Sequence, residues 1–366
     1  MIMFGSSHYV PILKGKDGEF KALSTLSSAA KARLTPFIDI PRRDKDSRSN
    51  LPKLNLDIYL KKKAVKIYKA WGVERPLFID VYDLKLDLKI SSGLHFVEFF
   101  FSELRNLKVK AIPVIGFDRS NNPNYLQAVK NVVLKDNRGL CVRLMDQDLE
   151  SPTASYAELK NVLQSIGVPN RKTHILFDFR SVSENESKDI VTLAFDLLAK
   201  LPNKKEWLTL TLAASGFPQD LRDIPPQSTD TISRTEKEIR DLLVKKKRQI
   251  QRFPAFGDYG ICHPDILDYK PFFTPSAAIR YTLEKEWLII KARSIKKYSF
   301  DQFSDISKTL RNRADYYGPN YSWGDNYINE CAEHTVGKGN LTTWRQVGTN
   351  HHITLVGNQI ANSPSI

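Results

Sequence analysis

The first 260 residues of the chain alternate between two patterns of apolar and polar positions. Short runs of β-branched and aromatic residues are typical of buried strands, whereas apolar residues that recur every three or four positions are typical of amphipathic helices. A regular alternation of the two predicts βα units arranged in a parallel sheet. The eight predicted strands span residues 9–13, 36–40, 77–81, 111–116, 140–144, 174–179, 207–212 and 255–260.

The segments between these strands predict helices. Two of the helix starts carry a Ser followed three positions later by a Glu, at Ser155 with Glu158 and at Ser183 with Glu186, which is the spacing of a capping box. The predicted helices span residues 19–34, 58–71, 96–107, 124–134, 156–166, 186–201 and 235–250.

Eight strands with intervening helices predict an α/β fold of the closed, TIM-like (β/α)₈ barrel type. An open doubly wound sheet gives the same alternation, so the periodicity alone leaves both architectures open. The open sheet usually carries a glycine-rich turn after its first strand, and here Gly15 and Gly18 are followed by no third glycine. The strand count therefore favours the barrel.

The chain changes character after residue 260. Residues 277–293 predict two strands around a Glu-Lys-Glu turn, and residues 299–316 have helical spacing. About a hundred residues is small for an independent domain, so we expect residues 1–265 to form the barrel and residues 266–366 to form an extension, a hairpin plus helices, packed on it.

Composition narrows the class of protein. The 366 residues include 41% hydrophobic side chains and three cysteines, Cys141, Cys262 and Cys331, which are too few and too far apart for a disulfide framework. No run approaches the roughly 18 apolar residues that a membrane helix needs, and the first residues lack the pattern of a signal peptide. We therefore expect a cytoplasmic protein that does not contact the membrane.

The net charge of +14 is concentrated in two windows. Residues 42–75 hold eleven Lys or Arg against four Asp or Glu, and residues 234–252 hold eight against three. Such windows suit a phosphate backbone, although solvated helix faces have the same composition. The side chains predicted to form a nucleic-acid surface are Lys61, Lys62, Lys63, Lys245, Lys246, Lys247 and Arg248.

A carboxylate lies near the end of four predicted strands. The mouth at the C-terminal ends of barrel strands is where active sites of this fold lie, so the catalytic candidates are Asp39, Asp80, Asp178 and Asp258. The predicted phosphate-binding side chains are Lys14, Arg143, Arg180 and Arg345. If a metal takes part, we expect Mg²⁺ held by Asp39, Asp80 and Asp178. The alternative is a set of structural salt bridges that plugs the barrel.

Three blocks of sequence carry a family resemblance. YVPILKGKDGEFKAL, LTPFIDIP and WRQVGTNHHITLV resemble the bacterial and phage "beta protein" family, nearly from end to end of the chain. The resemblance implies a (β/α)₈ fold and a setting in mobile or defence-associated loci, with no established reaction. The positions that match its recurrent polar residues are Lys14, Glu19, Asp39, Asp80, Arg143, Asp178, Trp344, Arg345, His351 and His352.

Two hypotheses about function follow. The first is a barrel protein that recognises a phosphate-rich ligand, nucleic acid or nucleotide, in anti-phage defence or toxin-type growth control, and that acts as a metal-dependent phosphodiesterase or nuclease if it is an enzyme. The second is a non-enzymatic sensor, immunity or scaffold subunit that binds a protein from the same locus. No nucleotide-cofactor motif is present. An open mouth that exposes the charges would favour the first hypothesis, and a plugged mouth would favour the second.

Overall fold

The structure is a computed structural model that describes residues 3–46, 48–265 and 275–363. Eight parallel strands close into a barrel, which confirms the predicted fold. The barrel strands are β1 (Tyr9–Leu13), β2 (Phe37–Asp39), β3 (Leu77–Asp80), β4 (Ala111–Ile115), β5 (Leu140–Met145), β6 (Thr173–Ser181), β7 (Thr209–Ser215) and β9 (Ala255–Asp258). They neighbour one another in chain order, and β9 closes the barrel by pairing with β1.

Helices follow the barrel strands and cover the outside of the barrel. They are α1 (Asp17–Ser24), α2 (Ser28–Ala32), α3 (Leu56–Trp71), α4 (Phe96–Asn106), α5 (Phe117–Ser120), α6 (Pro123–Asp136), α7 (Gln147–Glu150), α8 (Pro152–Ile166), α9 (Ser187–Lys200) and α10 (Thr235–Lys245). The helix predicted over residues 19–34 is divided in two, because the Ser27 side chain accepts a hydrogen bond from the Ala30 N–H and begins a second helix.

One of the two predicted capping boxes is present. Ser183 and Glu186 form theirs ahead of α9. The box predicted at Ser155 is wrong, because α8 begins at Pro152 and the Ser155 hydroxyl donates to the Ser151 carbonyl inside the first turn. Proline is well placed at the first helical position, where its missing N–H costs nothing.

The described residues of the C-terminal part form a second sheet and four helices. Strands β10 (Ser276–Thr282) and β11 (Glu286–Ser294) form the predicted antiparallel hairpin. A strand that the sequence pattern missed, β8 (Ser228–Ser233), pairs antiparallel with β11 and makes this a three-stranded sheet. The helices are α11 (Ile295–Tyr298), α12 (Gln302–Arg311), α13 (Trp323–Ala332) and α14 (Leu341–Ala361).

The last helix joins the extension to the barrel. Helix α14 packs against α1 and β1, and its residues Ile353, Val356 and Ile360 belong to the same apolar core as the barrel helices. Strand β8 lies within the range predicted for the barrel but pairs in the C-terminal sheet. The extension is therefore built partly from the barrel half of the chain.

Side chains alternate between the inside and the outside of the barrel. The interior apolar cluster includes Phe37, Phe78, Cys141, Leu176 and Tyr259. Every second residue along each strand faces inward. At the N-terminal end of the barrel Phe4 stacks on His8, with ring centroids 4.3 Å apart. The opposite end, where the predicted site lies, is polar.

Candidate functional site

The C-terminal mouth of the barrel is filled by charged side chains that bind one another. We call this set the mouth lattice. It consists of three cations and three carboxylates, together with one phenol, and its members are Lys14, Arg119, Arg143, Asp39, Asp80, Asp178 and Tyr259. The formal charges of the lattice sum to zero.

Arg143, on β5, lies at the centre of the mouth lattice. Its Nε and Nη2 donate to Asp178 at 2.9 and 2.7 Å. Its Nη1 donates to Asp39 and to Asp80, both at 2.9 Å. Its second Nη2 hydrogen goes to the Tyr259 hydroxyl at 2.7 Å. A guanidinium has five N–H donors, and all five are used within the protein.

The carboxylates of the lattice have further partners. Lys14 Nζ lies 2.6 Å from Asp39, and Arg119 Nη1 lies 2.7 Å from Asp80. The Tyr259 hydroxyl donates to Asp178 at 2.5 Å. Each carboxylate therefore accepts from at least two side-chain donors, which is the condition under which buried ionised groups are tolerated.

The lattice is shielded from solvent. Lys14 is 4% exposed, and Asp39, Asp80, Asp178 and Arg143 are 0% exposed. Burial alone would raise the pKa of Asp39, but Arg143 and Lys14 outweigh it and hold that pKa below its ordinary value. Burial lowers the pKa of Arg143 less than the surrounding carboxylates and Tyr259 raise it. These two shifts favour the charged forms of Asp39 and Arg143, whose opposite charges offset one another.

The expectation that Asp258 shares the interior face is wrong. On β9 the residues Ala255 and Tyr259 face the barrel interior, so Asp258 between them points outward. There its carboxylate accepts from the Tyr9 hydroxyl at 2.5 Å and lies 3.0 Å from His352 Nε2. The end of β9 thus places the Tyr259 phenol in the mouth lattice and the Asp258 carboxylate against α14.

His351 and His352 lie on α14, where both are buried at the junction between the barrel and the extension. His352 Nδ1 lies 2.9 Å from the Thr282 hydroxyl, so the tautomer with a proton on Nε2 satisfies both Thr282 and Asp258. Burial lowers the pKa of His352, which favours this neutral ring. His351 Nδ1 lies 2.8 Å from Asp325 on α13.

Trp344 and Arg345 differ in accessibility. The Trp344 ring stacks on Phe303 at 4.4 Å with an angle of 8° between the planes, and it is 6% exposed, so it packs in the core of the extension. Arg345 is half-buried, and its Nη1 donates to the Ile261 carbonyl at 3.1 Å. Glu19 is buried beside it in α1 and accepts from the Lys16 N–H at 3.0 Å.

Arg180 lies at the rim of the mouth. It follows the last inward carboxylate of β6 and has a positive φ of 53°. Its guanidinium lies 5.6 Å from the Tyr82 ring centroid and binds Asp265. It is partly exposed, so it is more accessible than Arg143.

The two basic windows lie apart. Helices of a barrel run antiparallel to the strands, so the second turn of α3 lies near the mouth and the end of α10 lies near the opposite end. Lys61, Lys62, Lys245, Lys246 and Arg248 are exposed, and Lys247 is half-buried. Helix α3 packs between α1 and α4, whereas α10 packs on α9. The windows therefore form two separate surfaces.

Lys63 departs from the prediction that it is part of an exposed surface. It is half-buried, its Nζ donates to the Gly15 carbonyl at 2.6 Å, and it lies 5.5 Å from the Tyr59 ring centroid. Burial lowers the pKa of Lys63 to about 8. It supports the loop after β1 that also carries Lys14.

The sequence pattern indicates Arg119 as a basic residue after the fourth barrel strand, but it does not single out Tyr259, Arg234 or Glu236. Arg119 and Tyr259 complete the mouth lattice, and in a separate buried contact Arg234 Nε lies 3.2 Å from Glu236. Arg119 lies on α5, which begins just after β4, and this places its side chain over the mouth. Strand alternation identifies Tyr259 only if Gly257, and not Asp258, is assigned to the inward face of β9, because residues two positions apart share a face.

The described part of the chain contains neither a metal cluster nor a membrane helix. Within residues 3–46, 48–265 and 275–363, no three His, Cys, Asp or Glu residues lie close enough together to hold a metal ion. In the same ranges no helix is long and apolar enough to cross a membrane. A groove of about 660 Å³ lies on the outside of the barrel, lined by Tyr156, Leu159, Leu163 and Trp207, away from the mouth lattice.

The sequence and the fold have counterparts among known proteins. The model of a family described as Beta protein matches residues 9–358. No curated protein matches the sequence. An endo-beta-1,3-glucanase variant from Amycolatopsis mediterranei, in complex with laminarihexaose, is 12% identical with a TM-score of 0.31, over 57% of this chain and 88% of that chain. The 3-keto-D-glucoside 4-epimerase from E. coli is 10% identical with a TM-score of 0.32, over 68% and 91%. These two likenesses are too low to bear on function.

Proposed function

The chain belongs to the Beta protein family, and on that premise we propose that it is a non-enzymatic binding protein, a sensor, immunity or scaffold subunit, in which the barrel provides a rigid frame. The proposed setting is the cytoplasm of a bacterium, in anti-phage defence or toxin-type growth control, with a protein partner from the same locus. In this proposal the outer surface of the barrel and extension binds the partner.

One observation supports this proposal above the others. Arg143 uses all five N–H donors on groups of the mouth lattice, and the lattice is electrically neutral. A catalytic carboxylate must reach a substrate proton or a metal, and here each inward carboxylate is already bound to buried cations. Exchange of those partners for a ligand would leave Arg143 buried without its counter-charges, which is costly.

The test pairs a melting curve with an in-cell assay of defence or toxicity on Asp80→Asn. We expect the variant to melt earlier and to lose function only in proportion to the fraction that is unfolded. Function measured below the melting point should then be close to that of the wild type. A variant that keeps its melting point and loses function would make the mouth a working site and overturn the proposal.

A second candidate function is recognition of a phosphate-rich ligand, nucleic acid or nucleotide, on the outer surface. The exposed side chains Lys61, Lys62, Lys245, Lys246 and Arg248 and the net charge of +14 favour it. The test is to identify any nucleic acid that co-purifies with the wild-type protein. We expect it to be lost when these five side chains are replaced by Gln. A metal-dependent phosphodiesterase that uses Asp39, Asp80 and Asp178 would require those carboxylates to leave Arg143, so we do not favour it.

A further inference from the structure

A second charged cluster lies at the seam between the mouth loops and the extension. We call it the seam cluster, and it consists of Lys16, Glu19, Cys262, Arg280 and Arg345. Lys16 precedes α1, Cys262 follows β9, Arg280 lies on β10 and Arg345 lies on α14. Three cations accompany one carboxylate, so the formal charge of the seam cluster is unbalanced, in contrast to that of the mouth lattice.

Close backbone packing brings these elements together. A Cβ atom at Gly348, one helical turn after Arg345, would lie only 2.8 Å from the Arg280 carbonyl oxygen. A Cβ atom at Gly18 would lie 2.7 Å from the Cβ atom of Arg345. Both glycines are therefore required where α14 crosses β10 and the start of α1. The crossing holds the first turns of α14 over Arg280.

The two arginines differ from those of the mouth lattice in their partners. Arg345 Nη1 donates to the Ile261 carbonyl at 3.1 Å and to Cys262 Sγ at 2.7 Å. The Arg280 guanidinium lies 5.4 Å from the Phe217 ring centroid. Within the three described ranges, neither arginine forms an ion pair with a carboxylate, and the Arg280 side chain donates no hydrogen bond. The N–H donors of Arg280 are thus available to a ligand.

The carboxylate of the seam cluster is already bound. Glu19 accepts from the Lys16 N–H at 3.0 Å, and the Cys262 thiol lies 3.6 Å from its other oxygen. Burial and then the neighbouring charge of Arg345 lower the pKa of Arg280 to about 9. The positive charges of Arg280 and Arg345 are unfavourable close together at half-buried positions. An anion that accepts hydrogen bonds from both guanidinium groups would offset this cost.

We propose that Arg280 and Arg345 form a binding site for a phosphate group, with Cys262 at its edge. Guanidinium groups match the oxygens of phosphate in geometry. Three cations against one carboxylate leave a surplus of two, which suits a phosphate monoester or inorganic phosphate, because these carry a charge of about −1.5 to −2 at neutral pH. A phosphodiester carries one charge and fits less well. This inference goes beyond the proposed function and does not depend on it.

The first experiment is calorimetric titration of the full-length protein with inorganic phosphate and, separately, with a nucleoside monophosphate. We expect Arg280→Gln and Arg345→Gln each to weaken binding by about 10- to 100-fold, the loss expected when a charge-assisted hydrogen bond is removed. Arg222→Gln is the matched control, since Arg222 is exposed and pairs with Asp220. A tighter fit of the nucleotide would identify the phosphate as part of a nucleotide, and equal affinities would identify free phosphate.

The second readout is the rate at which Cys262 reacts with a thiol reagent. Cys262 is half-buried, whereas Cys141 and Cys331 are buried, so the fast phase of labelling reports on the seam cluster. Phosphate should slow this phase in the wild type, and Arg280→Gln should need about 10- to 100-fold more phosphate for the same protection. Arg280→Gln should keep or raise the melting temperature, because Arg280 has no hydrogen-bonded partner to lose and its charge repels that of Arg345.

Two outcomes would overturn the proposal. One is a wild-type protein that gives neither a heat of binding nor thiol protection at millimolar phosphate. The other is Arg280→Gln that binds phosphate as the wild type does. If Arg280→Gln fails to fold, Arg280→Lys takes its place, because it keeps the charge but loses the planar fork. Weaker phosphate binding by that variant would support the site, and unchanged binding would overturn it. The proposed function fails on a different measurement, the activity of Asp80→Asn.

Discussion

Asp39 and Asp80 are direct register partners on the parallel strands β2 and β3, and both accept a hydrogen bond from the same nitrogen of Arg143, at 2.9 Å each. Two carboxylates side by side repel one another, and inside a barrel the repulsion is strong because little water screens it. Arg143 converts this repulsion into attraction. The stability of the mouth should therefore depend more on this one cation than on either carboxylate.

The first prediction concerns Arg143→Met. Three buried carboxylates lose their shared partner, and we expect the free energy of unfolding to fall by about 3–5 kcal/mol, the usual cost of breaking a buried ion pair. Urea denaturation measures it. Arg222→Met, which breaks the exposed pair with Asp220, is the control and should change stability by less than about 1 kcal/mol. Equal effects of the two substitutions would mean that the mouth lattice does not stabilise the barrel.

The second prediction concerns the pair that joins α14 to the barrel. Asp258 and His352 are both buried and 3.0 Å apart, so Asp258→Asn and His352→Gln should each destabilise the protein. In a double-mutant cycle we expect a coupling energy of about 0.5–3 kcal/mol. The same cycle on Asp220 and Arg222 supplies a surface reference. A coupling energy no larger than that reference would show that the contact between Asp258 and His352 contributes little to holding α14 on the barrel.

The third prediction concerns pH and Glu236. Burial raises the pKa of this carboxyl from 4.5 to about 7, even though Arg234 lies 3.2 Å away. The folded state then binds a proton that the unfolded state has lost, so the contribution of Glu236 to stability is full below the ordinary pKa and is lost as pH rises through about 7.

Glu236→Gln removes this titration. Relative to the wild type, the variant should gain stability as pH rises from about 5 to about 8. Denaturation curves of both proteins across this range measure the difference, in which the other titrating groups cancel. A difference that does not change with pH would mean that Glu236 stays ionised in the folded protein.

The fourth prediction separates the lysines of α3. Lys61 and Lys62 are exposed, so replacing both with Gln should change stability by less than about 1 kcal/mol. If α3 binds a phosphate backbone, the same replacement should reduce the salt dependence of binding, by a slope of about 0.9 for each phosphate that the helix no longer neutralises. Lys63→Gln should instead destabilise the fold, since its Nζ holds the Gly15 carbonyl. A melting temperature unchanged by Lys63→Gln would mean that the hydrogen bond from Lys63 to the Gly15 carbonyl does not stabilise the fold.

Much of the fold was predictable because barrel strands and their helices have different periods. All eight barrel strands and the hairpin of β10 and β11 lie where the pattern of apolar residues indicates. Strand β8 was missed because its sequence, STDTIS, is polar and largely exposed, so it lacks the apolar alternation of a half-buried strand. Helix α14 was missed because it is buried on several faces and carries no single apolar stripe.

The site was predictable only in part. Alternation along a strand correctly places Asp39, Asp80 and Asp178 inside the barrel with Arg143, because each follows an inward apolar residue two positions earlier. The same reasoning fails at Asp258, since Gly257 has no side chain to reveal which face it occupies. The approach of distant parts of the chain, such as Arg280 to Arg345, leaves no local pattern at all.

The pairing of β8 with β11 sets an order of events during synthesis. Strand β8 leaves the ribosome roughly fifty residues before its partner, and N-terminal parts of a chain fold first. The eighth barrel strand, β9, is made in between, so the barrel can close while β8 still has an open edge. Unpaired strand edges promote aggregation unless their side chains are polar. We therefore expect the polar sequence of β8 to limit aggregation of the nascent chain until the hairpin of β10 and β11 has been synthesised.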